Sequence, residues 1–396
     1  MEPTSYQSRL SRLQAKMQAQ AIDGMLIAQN VDLYYLTGSM QTGFMFVPAE
    51  GEPRYYVRRS LSRAITESYM PVEELGSLRM FESKLAQTFT EIFREGARPV
   101  IAAEFDVLPV QWYHRLQAAL PRVEWVDGST LIRETRMIKT NDEIAQIKQA
   151  AAVIDHAFEE GLDALQEGMK EIELMSLIEK AIRLQGHLGM MRTRGFNQEI
   201  ITGVVGAGEA IAQPTYFDGP TGGLGMSAAS PQSSSVRRIR RNEPILIDIG
   251  CCINGYVIDQ TRTVVIGELP DDLYAAYLLA EEVLRSTETR LQPGAVCQEL
   301  YAASLEQVDP SGLREHFMGY GAEQVKFIGH GIGLEMDEYP VLAKGFQYPL
   351  EPGMVLAIEP KFTFPGQGVV GIENSYVITS AGYEQLTVSR EGLITL

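Results

Sequence analysis

Two β-branched runs joined by Asn254-Gly255 constrain this chain more than any other stretch: Ile245-Leu-Ile-Asp-Ile-Gly-Cys-Cys-Ile-Asn-Gly-Tyr-Val-Ile-Asp-Gln-Thr-Arg-Thr-Val-Val-Ile266. Asn-Gly closes a two-residue type I′ hairpin, because both of its positions need positive φ. With that turn Ile253 faces Tyr256, Gly250 faces Asp259, and Asp248 lies diagonal to Asp259 on the same face. Diagonal neighbours have backbones roughly 7–8 Å apart. Gly250, between the two acids, has no side chain to intrude. Carboxylates buried without a partner cost several kcal/mol each, so a ribbon of Val, Ile and Leu that carries two on one face implies a cation nearby.

The same argument extends downstream. Met354-Val-Leu-Ala-Ile-Glu359 and Val369-Val-Gly-Ile-Glu-Asn-Ser-Tyr-Val-Ile378 flank Pro365-Gly366, and a hairpin centred on Gly366 sets Glu359 opposite Glu373. His330 sits in Phe327-Ile-Gly-His-Gly-Ile-Gly333, where three glycines let the backbone approach a crowded centre. Taken singly, each frame also reads as a capped turn or a satisfied core histidine. Together, four carboxylates and one imidazole read as a two-metal hydrolytic site, since ions about 3.5–4 Å apart lie within reach of both aspartates.

Up to about Asp127, short strands (Gly24–Ala28, Phe44–Val47, Tyr55–Val57, Val100–Ala103) alternate with helical stretches, an α/β pattern, with a hairpin at Glu50-Gly51. Residues Met1 to Asp23 place Leu10, Leu13 and Met17 on one helical face. A new helix is expected over 140–166, opened by the capping box Thr140-Asn-Asp-Glu143, with Ile144, Ile147, Ala151 and Ile154 facing a core. Helices over about 170–185 and 271–291 follow, the latter ended by Pro293-Gly294. The carboxy-terminal part is therefore α+β, with antiparallel strands carrying the acids and helices outside.

These residues carry a resemblance. Asp-Ile-Gly(x5)Tyr-x-x-Asp-x-Thr-Arg-Thr from Asp248, Gly-His-Gly-Ile-Gly-Leu-Glu from Gly329, Glu-Pro-Gly-Met(x4)Glu-Pro from Glu351 and Gly-Ile-Glu-Asn from Gly371 resemble the pita-bread metallohydrolases, the superfamily of Xaa-Pro aminopeptidase, prolidase and creatinase. Leu26-Ile-Ala-Gln-Asn-Val-Asp-Leu-Tyr-Tyr-Leu-Thr-Gly38 is similar to the amino-terminal domain of that group, and Arg136-Met-Ile-Lys-Thr-Asn-Asp-Glu-Ile144 to its domain junction. The resemblance implies an α+β fold, a smaller α/β creatinase-type domain over 1–134 before a pita-bread catalytic domain over 135–396. It further implies that Asp248 binds one metal, that Asp259 and Glu373 bridge two, and that His330 and Glu359 complete the second. A bridging water is then the nucleophile, and Glu359 takes and returns its proton. Two divalent ions are implied, Mn²⁺ before Co²⁺, Zn²⁺ or Fe²⁺, because an oxygen-rich set with one imidazole suits borderline-hard ions. Thr261, on the strand face of Asp259, is a candidate to orient that carboxylate; an ordinary strand threonine is the alternative.

The chain also departs from the pattern. Xaa-Pro peptidases usually carry a histidine in a Pro-His-Tyr-like segment, and here the match is Pro214-Thr215-Tyr216; a second family histidine, seven residues after the ligand histidine, is Asp337 here. Those histidines hold the substrate carbonyl and its tetrahedral intermediate, which takes hydrogen-bond donors. Thr215 and Asp337 are thus the candidate catalytic residues beside Glu359, although an aspartate donates only when protonated. A Gly/Ser/Pro-rich stretch over 217–235 reads as a substrate loop or lid, or as plain surface loop. His187, Arg192 and Arg194 form either a pocket for an anionic substrate or ordinary surface charge, and Gly203-Val-Val-Gly-Ala-Gly208 lacks the spacing of a nucleotide loop.

A net charge of −17 argues against nucleic-acid and anionic-membrane partners. Three cysteines, Cys251, Cys252 and Cys297, are too few for a disulfide framework and read as small buried hydrophobes, which with the absence of a long apolar run points to the cytoplasm. Three function classes stay open: a metal-dependent peptidase of short Xaa-Pro peptides, a creatinase-like hydrolase of a non-peptide C–N bond in a small molecule, and a silent binding protein. The resemblance implies the first, and with it a homodimer. The replaced histidines favour the second, and five metal-binding side chains argue against the third.

Overall fold

The computed structural model describes residues 3–396, so Met1 and Glu2, the first two residues of the amphipathic stretch, lie outside the described residues. The chain divides into two compact units, Met1–Arg136 and Met137–Leu396.

In the first unit six strands form one mixed sheet: β1 (Gly24–Ile27), β2 (Gly43–Pro48), β3 (Arg54–Val57), β4 (Val72–Glu74), β5 (Val100–Ala103) and β6 (Glu124–Asp127), in the order β4-β3-β2-β1-β5-β6. The turn at Glu50-Gly51 joins β2 and β3 antiparallel, with Phe46 opposite Arg54. Parallel pairing of β1 with β5 and of β5 with β6 requires crossovers. Helices α1 (Pro3–Ala19) to α6 (Ser129–Met137) are interspersed with these strands. Phe46, Tyr56, Phe81, Leu85, Ile101 and Leu116 make up much of its core.

The second unit opens with α7 (Asn141–Ala164), where the Glu143 carboxylate accepts the Thr140 amide at 2.9 Å, the reach-back that a capping box supplies. Ile147, Ala150, Ala151, Ile154 and Phe158 form its buried face, which lies on the first long hairpin. After α8 (Glu171–Leu184) come β7 (Gly203–Ala207), β8 (Ile245–Ile253) and β9 (Tyr256–Val265). Asn254 and Gly255 both have positive φ, 51° and 93°, as a type I′ turn demands. The register follows: Ile253 faces Tyr256, Gly250 faces Asp259, and Asp248 faces Thr261.

Helices α9 (Asp271–Glu288) and α10 (Cys297–Val308) precede β10 (Phe327–Gly331), β11 (Glu338–Ala343), β12 (Val355–Ile358), β13 (Lys361–Phe364), β14 (Gly368–Gly371), β15 (Asn374–Thr379), β16 (Gly382–Gln385) and β17 (Ile394–Thr395). A five-stranded antiparallel sheet runs β11-β10-β12-β15-β16, and a four-stranded mixed sheet runs β17-β9-β8-β7, with β17 parallel to β9. One register spans the second ribbon: Val355 faces Val377, Ile358 faces Asn374, Lys361 faces Gly371 and Phe364 faces Gly368. All of these pairs are symmetric about Gly366, so Glu359 and Glu373 stand opposite each other where the ribbon passes from one sheet to the next. There the strands part to bond elsewhere, Glu359 N–H to the Ile328 carbonyl at 3.0 Å and Glu373 N–H to the Thr261 carbonyl at 3.1 Å.

Close approach explains the glycines around His330. A Cβ on Gly331 would stand 2.4 Å from the Tyr339 carbonyl oxygen, a backbone atom that cannot swing away, whereas one on Gly250 would meet the flexible Met191 sulfur at 2.6 Å. Gly331→Ala is expected to lose about 1–3 kcal/mol of stability and Gly250→Ala markedly less, read as the difference between their melting temperatures.

Candidate metal centre

Asp248 on β8, Asp259 on β9, His330 on β10, Glu359 after β12 and Glu373 before β15 all line one cavity of about 80 Å³. Asp259, His330 and Glu373 come closest together, each offering a ligand atom within 4.8 Å of the others. His330 Nε2 lies 3.8 Å from Glu359 Oε1, and its Nδ1 is 3.5 Å from Asp337 Oδ1.

The centre also holds a cation of its own. Lys361 Nζ donates to Glu359 Oε2 at 2.6 Å, to Glu373 Oε2 at 3.0 Å and to Asp248 Oδ2 at 3.3 Å, with its side chain only 1% exposed. Sequence reasoning passed over Lys361, although strand alternation puts it on the face of Glu359, two residues away. Thr221, in the loop before β8, was also missed; its hydroxyl lies 3.5 Å from Asp248 Oδ2.

Thr261, Arg262 and Thr263 stitch the two ribbons together. The Thr261 hydroxyl donates to Glu373 Oε2 at 2.7 Å, so it orients Glu373 and not the expected Asp259. Arg262, fully buried on the opposite face, donates to the Glu373 carbonyl at 2.7 Å, to Asn374 Oδ1 at 2.8 Å and to the Ser389 and Arg390 carbonyls. Thr263 donates to the Gly371 carbonyl and accepts its amide, and the Ser375 hydroxyl donates to the Asp259 carbonyl at 2.9 Å.

Burial dominates the proton affinities. It pushes Glu359 up to about 7 and Asp248 upward, against the pull of Lys361 on both. Asp259 rises well above the usual carboxylate range, by burial and then by the negative charge of Glu373 and Asp248. Burial acts on Glu373 as well, but Lys361, His330 and the Thr261 hydroxyl outweigh it and hold that carboxyl low. Burial disfavours the charged form of His330, yet Asp337, Glu359 and Glu373 raise it. Asp337 itself is pushed up by burial despite His330, toward the protonated form that could donate.

Other expectations are corrected. Thr215 does not reach the acids: its hydroxyl donates to Gln232 Oε1 at 2.5 Å, and it lines a neighbouring surface pocket, not the cavity. His187, Arg192 and Arg194 are not cavity residues either; His187 is buried and its Nδ1 accepts the Cys252 amide at 2.9 Å, which fastens β8 to the end of α8. Of the stretch 217–235, Phe217 to Thr221 and Gln232 form one wall of the cavity. Cys251, Cys252 and Cys297 are free and buried.

The residues fit one divalent ion well. Asp259, His330 and Glu373 supply a mixed oxygen and nitrogen set, and Glu373 Oε1 is buried without a hydrogen-bond partner, the kind of acceptor that a cation satisfies. One oxygen each of Asp248 and Glu359, Oδ2 and Oε2, is engaged by Lys361.

Residues 145–380 match the model of metallopeptidase family M24, and residues 9–138 that of the creatinase/prolidase N-terminal domain. The chain is 30% identical over 296 residues to the Xaa-Pro dipeptidase of Lactobacillus delbrueckii subsp. lactis, covering 74% of this chain and 72% of that one. It is 27% identical over 380 residues to the Xaa-Pro dipeptidase of Pyrococcus horikoshii, covering 96% of each. A solved structure of the Xaa-Pro dipeptidase from Bacillus anthracis superposes with a TM-score of 0.82 at 26% identity, over 99% of this chain and 100% of that one.

In urea unfolding Arg262→Met is expected to lose more than about 3 kcal/mol, since several buried carbonyls lose their donor together at roughly 1–3 kcal/mol each, while Thr261→Val loses about 1 kcal/mol.

Proposed function

Since this chain belongs to metallopeptidase family M24, whose members imply divalent metal ions, we propose that it is a metal-dependent hydrolase that cleaves the Xaa-Pro bond of short peptides. The observation that carries this reading is the convergence of Asp259, His330 and Glu373 beside Glu359 at the foot of one cavity. Of the five residues expected to bind metal, Asp248, Asp259, His330, Glu359 and Glu373, we assign Asp259, His330 and Glu373 as the ligands of one ion, with Asp248 and Glu359 beside it. Of the two ions expected from sequence, the one at Asp259, His330 and Glu373 is retained, with Mn²⁺ first among Co²⁺, Zn²⁺ and Fe²⁺. The domain reading, 1–134 and 135–396, is supported by the change of unit after Arg136. Among the described residues no helix is long and apolar enough to cross a membrane, and the three unpaired thiols favour the cytoplasm. Assembly as a homodimer rests on family likeness.

An ion so held supplies a Lewis acid that polarises the scissile carbonyl and acidifies water. The chain's own groups do the rest. Glu359, with its carboxyl pushed up to about 7, takes a proton from the attacking water and hands it to the departing proline nitrogen. Asp337, whose carboxyl is shifted upward, lines the cavity beside His330 and is the group assigned to the oxygen of the tetrahedral carbon, to which it donates in its protonated form. Among the described residues the cavity walls carry Glu199, Asp218 and Asp337 and no lysine or arginine, so they offer ionic partners to a substrate ammonium and no side-chain ion pair of that kind to a free α-carboxylate beside the proline. Tripeptides and longer peptides, whose proline carboxyl is in amide linkage, are therefore favoured over dipeptides.

A second reading, hydrolysis of a non-peptide C–N bond in a small molecule, is favoured by the position of Thr215, which leaves the cavity without the donor expected there. A panel of Xaa-Pro dipeptides, Xaa-Pro-Yaa tripeptides and small amidines and amides, assayed with added Mn²⁺, separates the two. Tripeptide turnover that Glu359→Gln lowers by more than about 10²-fold is expected; amidine or amide turnover without any proline peptide hydrolysis selects the second reading.

A further inference from the structure

We infer that the Lys361 ammonium is a resident cation of this centre, holding the place of one of the two divalent ions that the five-residue set would otherwise take, so that each chain binds a single ion at Asp259, His330 and Glu373. The inference rests on reading these side chains as a metal site, and it concerns how many ions that site holds.

Three observations carry it. An ammonium has three N–H donors, and Lys361 points them at three carboxylates, Glu359, Glu373 and Asp248, at 2.6, 3.0 and 3.3 Å. A carboxylate binds a divalent ion such as Zn²⁺ at about 2.0–2.2 Å, so an ion on those same oxygens would press against Nζ, like charge against like charge where water does not screen them. The chain is also shaped to keep the lysine there. Lys361 faces Gly371 across the ribbon, and a Cβ on Gly371 would lie 2.6 Å from the Pro360 carbonyl oxygen and 2.7 Å from the Lys361 Cγ, so the bare glycine admits both the close backbone and the first part of the lysine stem. Finally, among the described residues the group of ligand atoms close enough to share an ion contains Asp259, His330 and Glu373 but not Asp248 or Glu359, which are the acids that the ammonium engages.

Charge agrees with this division. Four carboxylates gather here; one divalent ion and one ammonium bring three positive charges against four negative. Two ions and the ammonium would bring five, an excess buried where nothing compensates it. Lys361 thus takes over the electrostatic task of an ion, the neutralisation of Asp248 and Glu359, without offering the open coordination position that an ion gives to a substrate.

The test is a count of bound Mn²⁺. Protein stripped with chelator, reloaded with excess Mn²⁺ and freed of unbound metal is analysed for manganese per chain, for the parent, Lys361→Ala and Lys361→Met. One ion in the parent and two in Lys361→Ala are expected, with Lys361→Met, of similar length but uncharged, also gaining over the parent or losing stability in chelator. Lys361→Ala should melt lower than the parent in chelator and recover on adding Mn²⁺. Two ions in the parent, no ion in any form, or equal counts in parent and Lys361→Ala would overturn the inference. If the alanine variant does not fold, the parent count alone decides. Failure to cleave proline peptides bears on the proposed activity and leaves the ion count untouched.

Discussion

Gathering four carboxylates, two buried and two half-buried, in a frame of Val, Ile and Leu is the constraint around which the larger unit is organised. Each acid withdrawn wholly or partly from water needs positive charge or hydrogen-bond donors nearby, and the fold supplies them from separate directions. Lys361 meets three of the acids, Thr261 and Thr221 meet two, and His330 faces Glu359. None of these partners is adjacent in sequence to all the groups that it serves, so the centre exists only once the two ribbons have crossed.

What holds the crossing is the Thr261-Arg262-Thr263 run. Its threonines turn toward Glu373 and Gly371, and its arginine passes out of the other face of the strand to gather the carbonyls of Glu373, Ser389 and Arg390. One three-residue segment therefore does two jobs, aiming a carboxylate and tying the strand that bears it to the terminal segment behind. Rigidity at the acids and continuity of the core come from the same hydrogen bonds, which is why polar residues are tolerated at 0% exposure here.

Where backbone geometry is dictated locally, the sequence was readable. Asn254-Gly255 leaves little choice of turn, and the turn fixes the register that brings Asp248 and Asp259 to one face. The second ribbon was legible from its symmetry about Gly366, and the amino-terminal strands from their spacing. The α+β fold and the family likeness held for the same reason, because both rest on those frames. Thr215 and His187 were misjudged because they sit in connections, where position along the chain does not determine where a side chain ends up. Thr261 was placed on the correct face but given the wrong partner, since the nearest acid in the folded chain belongs to another ribbon. Lys361 was hidden differently: a lysine on a strand normally reads as surface, and only Gly371 opposite it signals that its stem runs inward.

The shared register of the second ribbon restricts how this chain can change over generations. Because Glu359 and Glu373 are measured from the tip at Gly366, a single inserted residue between them slides one arm past the other and turns an acid away from the cavity. Lengthening by matched pairs, one residue on each arm, leaves the opposition intact. The tip is therefore free to drift in composition but quantised in length, and homologues that keep the acids should differ there by even steps.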